Sequence, residues 1–332
     1  MKIGILSFAH HHGEAHISNL RRIEGVELLG VADNEPMRGQ RIAAQHQALY
    51  FHTYEDLLEA KPEGVIICTE NNRHRPVVEM AAARGIHVLC EKPLATTLED
   101  AHAIVDACDK AGVILMTAFP LRFSAPLLEI KARLDNGDFG DVYCFNATNQ
   151  GELPTKYRAW FADPELAGGG AIMDHTVHLV DIMRWLLGSE VETMYARSNK
   201  IFHADEVDVE TGALEMLTFK NEVFATIDAS WSRPQYWPTW GGLGFEMVTQ
   251  RGAVIVDAFR QNLNVFRHEW QSSRWLPWGS DANHAMVGEF TASIRENRPP
   301  RVTGIDGLRA VEATLAAYES VRTGQTVQVK SA

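Results

Sequence analysis

The 332-residue chain is too long for one typical hydrophobic core, so we expect two domains, and its 45% hydrophobic content excludes an intrinsically disordered protein. Its net charge of -12, with acidic and basic residues interspersed, argues against nucleic-acid and anionic-membrane partners. Since no apolar run reaches the length of a membrane span and the N-terminal apolar run is too short for a signal peptide, a cytoplasmic protein is expected.

The first 120 residues alternate short apolar runs with amphipathic segments. The runs are typical of β-strands and lie at residues 2–8, 27–33, 64–69, 86–91 and 113–119. Two of the helices between them are predicted to end at Gly85 and Gly112. A βαβ series of this kind predicts a doubly wound parallel sheet, which binds its ligands at the carboxyl ends of the strands.

The turn after the first strand, in SFAHHHGEAH, is where a dinucleotide fingerprint would lie. Ser7 and Ala9 stand where two glycines are usual, and only Gly13 remains. A turn of small residues that opens a helix can still present backbone N–H groups to a pyrophosphate. We therefore predict that Phe8, Ala9, His12 and Gly13 contact a dinucleotide.

Asp33 ends the second predicted strand, twenty positions after Gly13. A carboxylate at this point accepts hydrogen bonds from the adenosine ribose hydroxyls and repels a 2'-phosphate, so NAD is predicted in preference to NADP. Arg38 and Arg41 leave NADP as the alternative. An ordinary aspartate at a strand end is the other interpretation.

Four histidines in the same segment, His10, His11, His12 and His16, suggest a metal site at first sight. Adjacent histidines on a turn cannot all aim at one ion, and we expect no carboxylate or thiol to complete a ligand set. The four cysteines lie far apart without a CxxC pair and are expected to be small buried thiols rather than a disulfide or a zinc site. No metal is predicted.

Polar segments follow two later strands. TENNRH begins at Thr69, and CEKPLA places Glu91 and Lys92 at the carboxyl end of a strand, where a nicotinamide would lie. A lysine with a solvated ammonium group is the alternative for Lys92.

The segment from Gly168 to Gly188 begins with three glycines and continues as about four helical turns. Asp174, His178 and Asp181 recur at i, i+4 and i+7 and are predicted to share one face. The other positions are mostly apolar, so the helix should be buried. The alternative to a functional role is a structural Asp/His pair.

Together, four motifs resemble the glucose-fructose oxidoreductase / inositol dehydrogenase / rhizopine-catabolism (Gfo/Idh/MocA) family. They are CEKPLA, the TxNxxH of Thr69, Asn71 and His74, the GGGxxxDxxxH of Gly168 to His178, and the C-terminal YESVRTGQTVQV. The resemblance covers nearly the whole chain. It implies an N-terminal Rossmann domain over 1–120 and a second α/β domain over 121–332, with a large open, mainly antiparallel sheet for substrate binding and oligomerisation.

The resemblance also implies nicotinamide-dependent oxidation or reduction of sugars and polyols, with Lys92, Asp174 and His178 as the catalytic set. In this hypothesis His178 is the general base, Asp174 orients the substrate, and Lys92 donates to the reacting oxygen. Thr69, Asn71, His74 and Glu91 are assigned to the cofactor site. Two other functions remain open: a non-catalytic dinucleotide-binding regulator, and a lyase or hydrolase that oxidises its substrate only transiently.

Candidate substrate contacts come from the second half of the chain. Arg122 could clamp an anionic or hydroxyl-rich substrate or could be structural. The segments TKYRAWFADP and SRPQYWPTWGG offer aromatic surface for stacking on sugar faces, or else for packing. The candidates are Arg122, Tyr157, Arg158, Trp160, Tyr236, Trp237, Trp240 and His284. An open apolar sheet face predicts a homodimer or homotetramer.

Overall fold

The computed structural model describes residues 1–237, 239, 241–267 and 272–330, so Trp240, one of the predicted aromatic contacts, lies outside the described residues. The chain divides into two compact units. The first comprises Met1–Pro120, Glu165–Gly168 and Asn283–Val311. The second comprises Leu121–Pro164, Gly169–Ala282 and the C-terminal part from Glu312.

The first unit is built on a six-stranded parallel sheet. Its strands are β1 Lys2–Leu6, β2 Glu27–Ala32, β3 Tyr50–Phe51, β4 Gly64–Ile67, β5 His87–Cys90 and β6 Leu115–Thr117. Their spatial order, β3-β2-β1-β4-β5-β6, reverses direction at β1 and so confirms the doubly wound fold. β3 is the one strand of this sheet that the sequence pattern did not predict.

Helices connect these strands: α1 His12–Arg21, α2 Pro36–Gln45, α3 Tyr54–Glu59, α4 His74–Ala82 and α5 Leu98–Ala111. Gly85 and Gly112 have φ values of 69° and 66°. These are left-handed conformations that glycine adopts without steric cost, and they confirm the two predicted helix ends. β1, β4, β5 and β6 are almost entirely buried, as expected for a parallel sheet with helices on both faces, whereas β3 and the start of β2 are partly exposed.

A later segment of the chain also belongs to the first unit. It contains most of α9, Ala282–Glu296, and the beginning of α10, Gly304–Thr323. A Cβ atom on Gly64 of β4 would lie 3.0 Å from both Phe290 and Ile294 of α9. The missing side chain therefore lets α9 pack closely against β4.

The second unit is built on a seven-stranded sheet in the order β12-β11-β7-β10-β9-β8-β15. Its strands are β7 Val142–Gly151, β8 Val191–Asn199, β9 Gly212–Phe219, β10 Phe224–Ser230, β11 Gly241–Thr249, β12 Gly252–Asp257 and β15 Val327–Gln328. All neighbours are antiparallel except β7 and β10, so the prediction of a large, mainly antiparallel sheet is confirmed. A hairpin of β13 Asn262–Arg267 and β14 Ser272–Pro277 is separate from it.

The remaining α-helices of the described residues are α6 Ala125–Asp135, α7 Pro164–Ala167 and α8 Val177–Leu187. One face of the seven-stranded sheet is covered and the other is open. Along β9, Ala213, Glu215 and Leu217 are buried, whereas Leu214 and Met216 are 67% and 51% exposed. Phe224 and Ile255, at 50% and 79% exposed, lie on the same open face.

In the part of the chain that the structure describes, none of the helices combines the length and apolar character needed to cross a bilayer. Cys68, Cys90 and Cys108 are buried free thiols, as predicted, whereas the free thiol Cys144 is partly exposed because it lies opposite Phe224 on the open sheet face.

Candidate functional site

The turn between β1 and α1 closes on itself through a serine. Ser7 adopts a φ of 72°, a left-handed conformation that is rare outside glycine. Its hydroxyl accepts from the N–H of Ala9 at 3.1 Å and donates to the Asn34 side-chain oxygen at 3.1 Å. These hydrogen bonds stabilise Ser7 in a backbone conformation that a glycine would adopt without steric cost.

Gly13 keeps the role of a fingerprint glycine. A Cβ atom there would lie 2.7 Å from the ring of Phe8 and 3.3 Å from the carbonyl oxygen of Ser7. Only glycine therefore allows α1 to approach β1 this closely.

Asp33 is buried, and both oxygens of its carboxylate accept hydrogen bonds. It accepts from the N–H of Phe8 at 3.0 Å and from the N–H of Glu35 at 2.9 Å. Arg38 donates through Nε to one oxygen at 2.8 Å and through Nη2 to the other at 2.6 Å. Asp33 thus ties the first turn to the start of α2, with the Arg38 guanidinium directly beside its carboxylate.

Two of the histidines, buried His16 and partly exposed His12, contact a buried carboxylate that the sequence analysis missed. His16 Nε2 lies 2.9 Å from Glu91 Oε1, and His12 Nδ1 lies 3.2 Å from the same oxygen. The His16, Glu91 and Cys68 ligand atoms all lie within 4.8 Å of one another. The expectation that no carboxylate or thiol completes a ligand set with these histidines was therefore wrong, because strands distant in sequence bring Glu91 and Cys68 to the start of α1.

The charge of Glu91 follows from these contacts. Burial by itself would raise the pKa of Glu91, but the imidazoles of His12 and His10 hold it well below its usual range. The pKa of His10 is itself lowered well below its usual value by burial. A carboxylate held by neighbouring imidazoles therefore lies directly before Lys92.

Some buried polar atoms that follow β4 have no hydrogen-bond partner among the described residues. Thr69 Oγ1 and Asn71 Oδ1 are buried and have no hydrogen-bond partner among the described residues, while Asn71 Nδ2 donates to the Ala167 carbonyl at 2.9 Å. Buried polar atoms are rarely left unsatisfied without a ligand or water. Since they lie at the carboxyl end of β4, beside the reversal of strand order, the unit fits a dinucleotide.

His74, assigned to the cofactor site from the sequence, has one ring nitrogen bound to the backbone. Its Nδ1 donates to the carbonyl oxygens of Pro93 and Leu94 at 3.0 and 3.2 Å, and the side chain is fully buried. Burial lowers its pKa. His74 thus holds the segment that follows Lys92, whose own side chain is only 6% exposed.

The helix that carries the other predicted catalytic residues begins with a π-helical turn, Ile172–Thr176, and continues as α8. Asp174 Oδ2 accepts from Trp231 Nε1 at 3.2 Å and lies 3.2 Å from His175 Nε2. His175 Nδ1 donates to the Asn149 carbonyl at 2.8 Å. Sequence spacing missed His175 and Trp231, because the wider π turn changes which side chains meet and Trp231 is distant in sequence.

His178 lies in the first turn of α8 and is buried. Thr176, which lies between Asp174 and His178 in the sequence, donates from its hydroxyl to Glu215 Oε1 at 2.6 Å. Burial raises the pKa of Glu215 to about 8. Glu215 was not predicted, since a single glutamate within a strand gives no signal in the sequence.

Asp181, the third residue of the predicted helix face, has a partner distant in sequence. It forms a buried ion pair with Arg122, whose Nε and Nη2 donate to its two oxygens at 2.8 and 2.5 Å. The side chains are 1% and 5% exposed. This favours the structural interpretation of Arg122 over the substrate clamp.

The other predicted substrate contacts differ in exposure. Tyr157 and Tyr236 are 37% and 87% exposed, whereas Trp160 is buried and stacks on Phe161 with ring centroids 4.1 Å apart. Arg158 donates to the Tyr157 carbonyl at 2.8 Å. His284 lies in α9 and belongs to the first unit. For Trp160, packing is therefore the better interpretation.

Comparisons with known proteins cover most of the chain. Residues 2–119 match the profile of an oxidoreductase family with an NAD-binding Rossmann fold, and residues 127–255 match the GFO/IDH/MocA C-terminal domain. The chain is 27% identical to the myo-inositol 2-dehydrogenase of Thermotoga maritima, over 99% of both chains.

A D-xylose 1-dehydrogenase (NADP(+)) of Haloferax volcanii is 29% identical, over 91% of this chain and 92% of that protein. The crystal structure of GenD2 from gentamicin A biosynthesis, in complex with NAD, shares the fold with a TM-score of 0.89 at 22% identity, over 100% of this chain and 97% of that chain. Two profiles of one family, in the order and over the units described above, show that the chain belongs to the Gfo/Idh/MocA oxidoreductase family.

Proposed function

We propose that the protein is a nicotinamide-dependent dehydrogenase that oxidises a hydroxyl group of a sugar or polyol, or reduces the corresponding ketone. The observation that carries the proposal is the pair of unpartnered polar atoms, Thr69 Oγ1 and Asn71 Oδ1, beside the strand that delivers Lys92. Relatives matched over nearly their full length are dehydrogenases of inositols, apiose and xylose.

The residues that would hold the cofactor come from the first unit. The turn with Phe8, Ala9, His12 and Gly13 opens α1, and its backbone and the helix start favour a pyrophosphate. Thr69 and Asn71 supply the unpartnered polar atoms. When bound, a nicotinamide dinucleotide supplies the hydride acceptor or donor.

We propose NAD as the preferred cofactor, because Asp33 places a carboxylate at the end of β2. Arg38 is the residue that limits this preference. Its guanidinium neutralises Asp33 and is itself a suitable partner for a 2'-phosphate. Binding of both cofactors with NAD favoured is therefore expected, and titration of each against the protein tests it.

The proposed chemistry needs a base, an orienting group and a hydrogen-bond donor. A ring nitrogen of His178 would take the proton of the substrate hydroxyl. Asp174, fixed by Trp231 Nε1, would hold the substrate and stabilise the imidazolium. The Lys92 ammonium group would donate to the reacting oxygen. Lys92 belongs to the first unit and the other two to the second, so their joint action stays a proposal.

The domain roles follow from the same proposal: the first unit, with residues 1–120, binds the nucleotide, and the part of residues 121–332 that forms the second unit binds the substrate and associates with other copies. A homodimer or homotetramer is supported by the open sheet face with Leu214, Met216, Phe224 and Ile255. A cytoplasmic location stays a prediction.

The test is a panel of inositols, aldoses and other polyols, supplied with NAD or NADP, in which the absorbance of the reduced nicotinamide is followed. Sustained formation of reduced cofactor with at least one substrate supports the proposal. Substrate conversion without net reduced cofactor would favour the transient-oxidation lyase or hydrolase. Cofactor binding without turnover of any substrate would favour the regulator.

A further inference from the structure

The start of the helix that carries Asp174 and His178 is held by residues distant in sequence. The first N–H groups of a helix have no acceptor within it and need partners from elsewhere. Here the backbone N–H groups of residues 170–173 all have such partners. Glu210, between β8 and β9, and Tyr318, on α10, provide them.

Glu210 contributes two acceptors. Its Oε1 accepts from the N–H groups of Gly170 and Ile172, each at 3.0 Å. Its backbone carbonyl accepts from the N–H of Ala171 at 3.0 Å. A carboxylate at a helix N-terminus also interacts favourably with the helix dipole.

Tyr318 completes the arrangement with one hydroxyl group. The hydroxyl donates to Glu210 Oε1 at 2.8 Å and accepts from the N–H groups of Gly170 and Met173, each at 3.2 Å. Tyr318 opens the YESVRTGQTVQV motif of the sequence. The hydroxyl therefore links α10 directly to the start of the π-helical turn.

The glycines before the helix are explained by this contact. A Cβ atom on Gly169, whose φ is 148°, would overlap the Tyr318 hydroxyl. A Cβ atom on Gly170 would overlap the Glu210 carbonyl oxygen. The GGG sequence thus lets the two partners approach the backbone directly.

We propose that Glu210 and Tyr318 are positioning residues for the reaction, setting the orientation of Asp174 and His178 by fixing the four N–H groups before them. The proposal rests on the proposed function, since it assumes that this helix carries reacting groups. Without the hydroxyl, the π-helical turn loses two acceptor contacts and the link to Glu210. A displacement of about 1 Å at reacting groups can cost about a hundredfold in rate.

The experiment compares Tyr318→Phe, Glu210→Ala and Glu210→Gln with the wild type, measuring kcat, KM for the best substrate, and the Kd for NAD. Ser320→Ala is the matched control. Ser320 is buried on the same helix, and its hydroxyl accepts from the Ala196 N–H at 2.9 Å and donates to the Gln325 carbonyl at 2.7 Å. The control variant thus loses a buried hydroxyl whose hydrogen bonds in the wild type go to Ala196 and Gln325, and not to the helix that carries Asp174 and His178.

Tyr318→Phe and Glu210→Ala are expected to lower kcat by about ten- to a hundredfold with the Kd for NAD unchanged. Glu210→Gln, which keeps an acceptor oxygen, should recover most of the loss, and Ser320→Ala should keep the wild-type kcat. Hydrogen exchange of the amides of residues 170–176 should accelerate in Tyr318→Phe and not in the control.

Equal kcat in Tyr318→Phe and the wild type would overturn the proposal, as would equal losses in Tyr318→Phe and Ser320→Ala. These results differ from failure of the proposed function. In that case the wild type has no turnover, and accelerated exchange of residues 170–176 in Tyr318→Phe would still support the structural part of the proposal.

Discussion

The buried ion pair between Arg122 and Asp181 gives a test that separates a structural arginine from a substrate clamp. Arg122→Ala leaves the Asp181 carboxylate buried without its bidentate partner, since the two side chains are 5% and 1% exposed. Breaking a buried ion pair by removing one member costs about 3 to 5 kcal/mol. The unfolding free energy of the second unit should fall by that amount.

For a domain of about 150 to 250 residues, each kcal/mol lowers the Tm by about 2 to 4 °C, so a fall of about 6 to 20 °C is expected. Replacing both partners by apolar residues of similar size, Arg122→Met with Asp181→Leu, removes the buried charge altogether. Such replacements are often neutral or stabilising. The double variant should therefore recover most of the lost stability.

Calorimetry of the three proteins measures the stability, and turnover of the best substrate measures the function. With a structural Arg122, the double variant regains activity together with its Tm. A double variant with a wild-type Tm and a strongly raised KM would refute this reasoning and restore the clamp. A small Tm change in Arg122→Ala would show that the pair contributes little to stability.

Three further predictions follow from the structure. Arg38→Ala should weaken NADP binding relative to NAD binding by about ten- to a hundredfold, because a charged hydrogen-bond donor is lost. Asp33→Ala should narrow the gap between the affinities for NAD and NADP. Equal affinities in the wild type, measured by titration, would contradict the NAD preference. Burial raises the pKa of Glu215 from 4.5 to about 8 in the folded protein. The unfolding free energy should therefore fall by about 1.4 kcal/mol for each unit by which the pH rises between these two values. Urea unfolding of Glu215→Gln at several pH values should lack this dependence on pH. Static light scattering should give a multiple of the chain mass for the wild type and a smaller mass for Met216→Glu on the open sheet face; a monomeric wild type at micromolar concentration would contradict the oligomer.

Local patterns predicted most of the first unit. Parallel strands buried on both faces appear in a sequence as short continuous apolar runs, and the glycines at 85 and 112 mark helix ends through their backbone conformation. β3, with only two residues, has too few positions to show any periodicity.

The contacts that the sequence could not predict are long-range or depend on local helix geometry. The separation between His16 and Glu91 is 75 residues, and that between Arg122 and Asp181 is 59 residues. Placing Asp174, His178 and Asp181 on one face assumed a regular α-helix, whereas the structure has a π-helical turn over Ile172–Thr176.

The sequence shows that the turn after β1 lacks two of the usual glycines, but it does not show which contacts stabilise the turn without them. Ser7 takes the left-handed conformation with its hydroxyl bonded to neighbouring groups, and Asp33 accepts the N–H of Phe8. Both depend on where β1 and β2 meet in the sheet.

The central claim is that Lys92 and His178 serve one reaction. The measurement that tests it most directly is kcat on the best substrate for His178→Ala, Lys92→Ala and the double variant, with NAD affinity measured in parallel. Each single change should lower kcat by about 10²- to 10⁴-fold, and His178→Ala should keep the wild-type affinity for NAD. The double variant should lose much less activation free energy than the sum of the two single losses. Near-normal turnover by His178→Ala would contradict the claim and leave Asp174 and His178 as a structural pair.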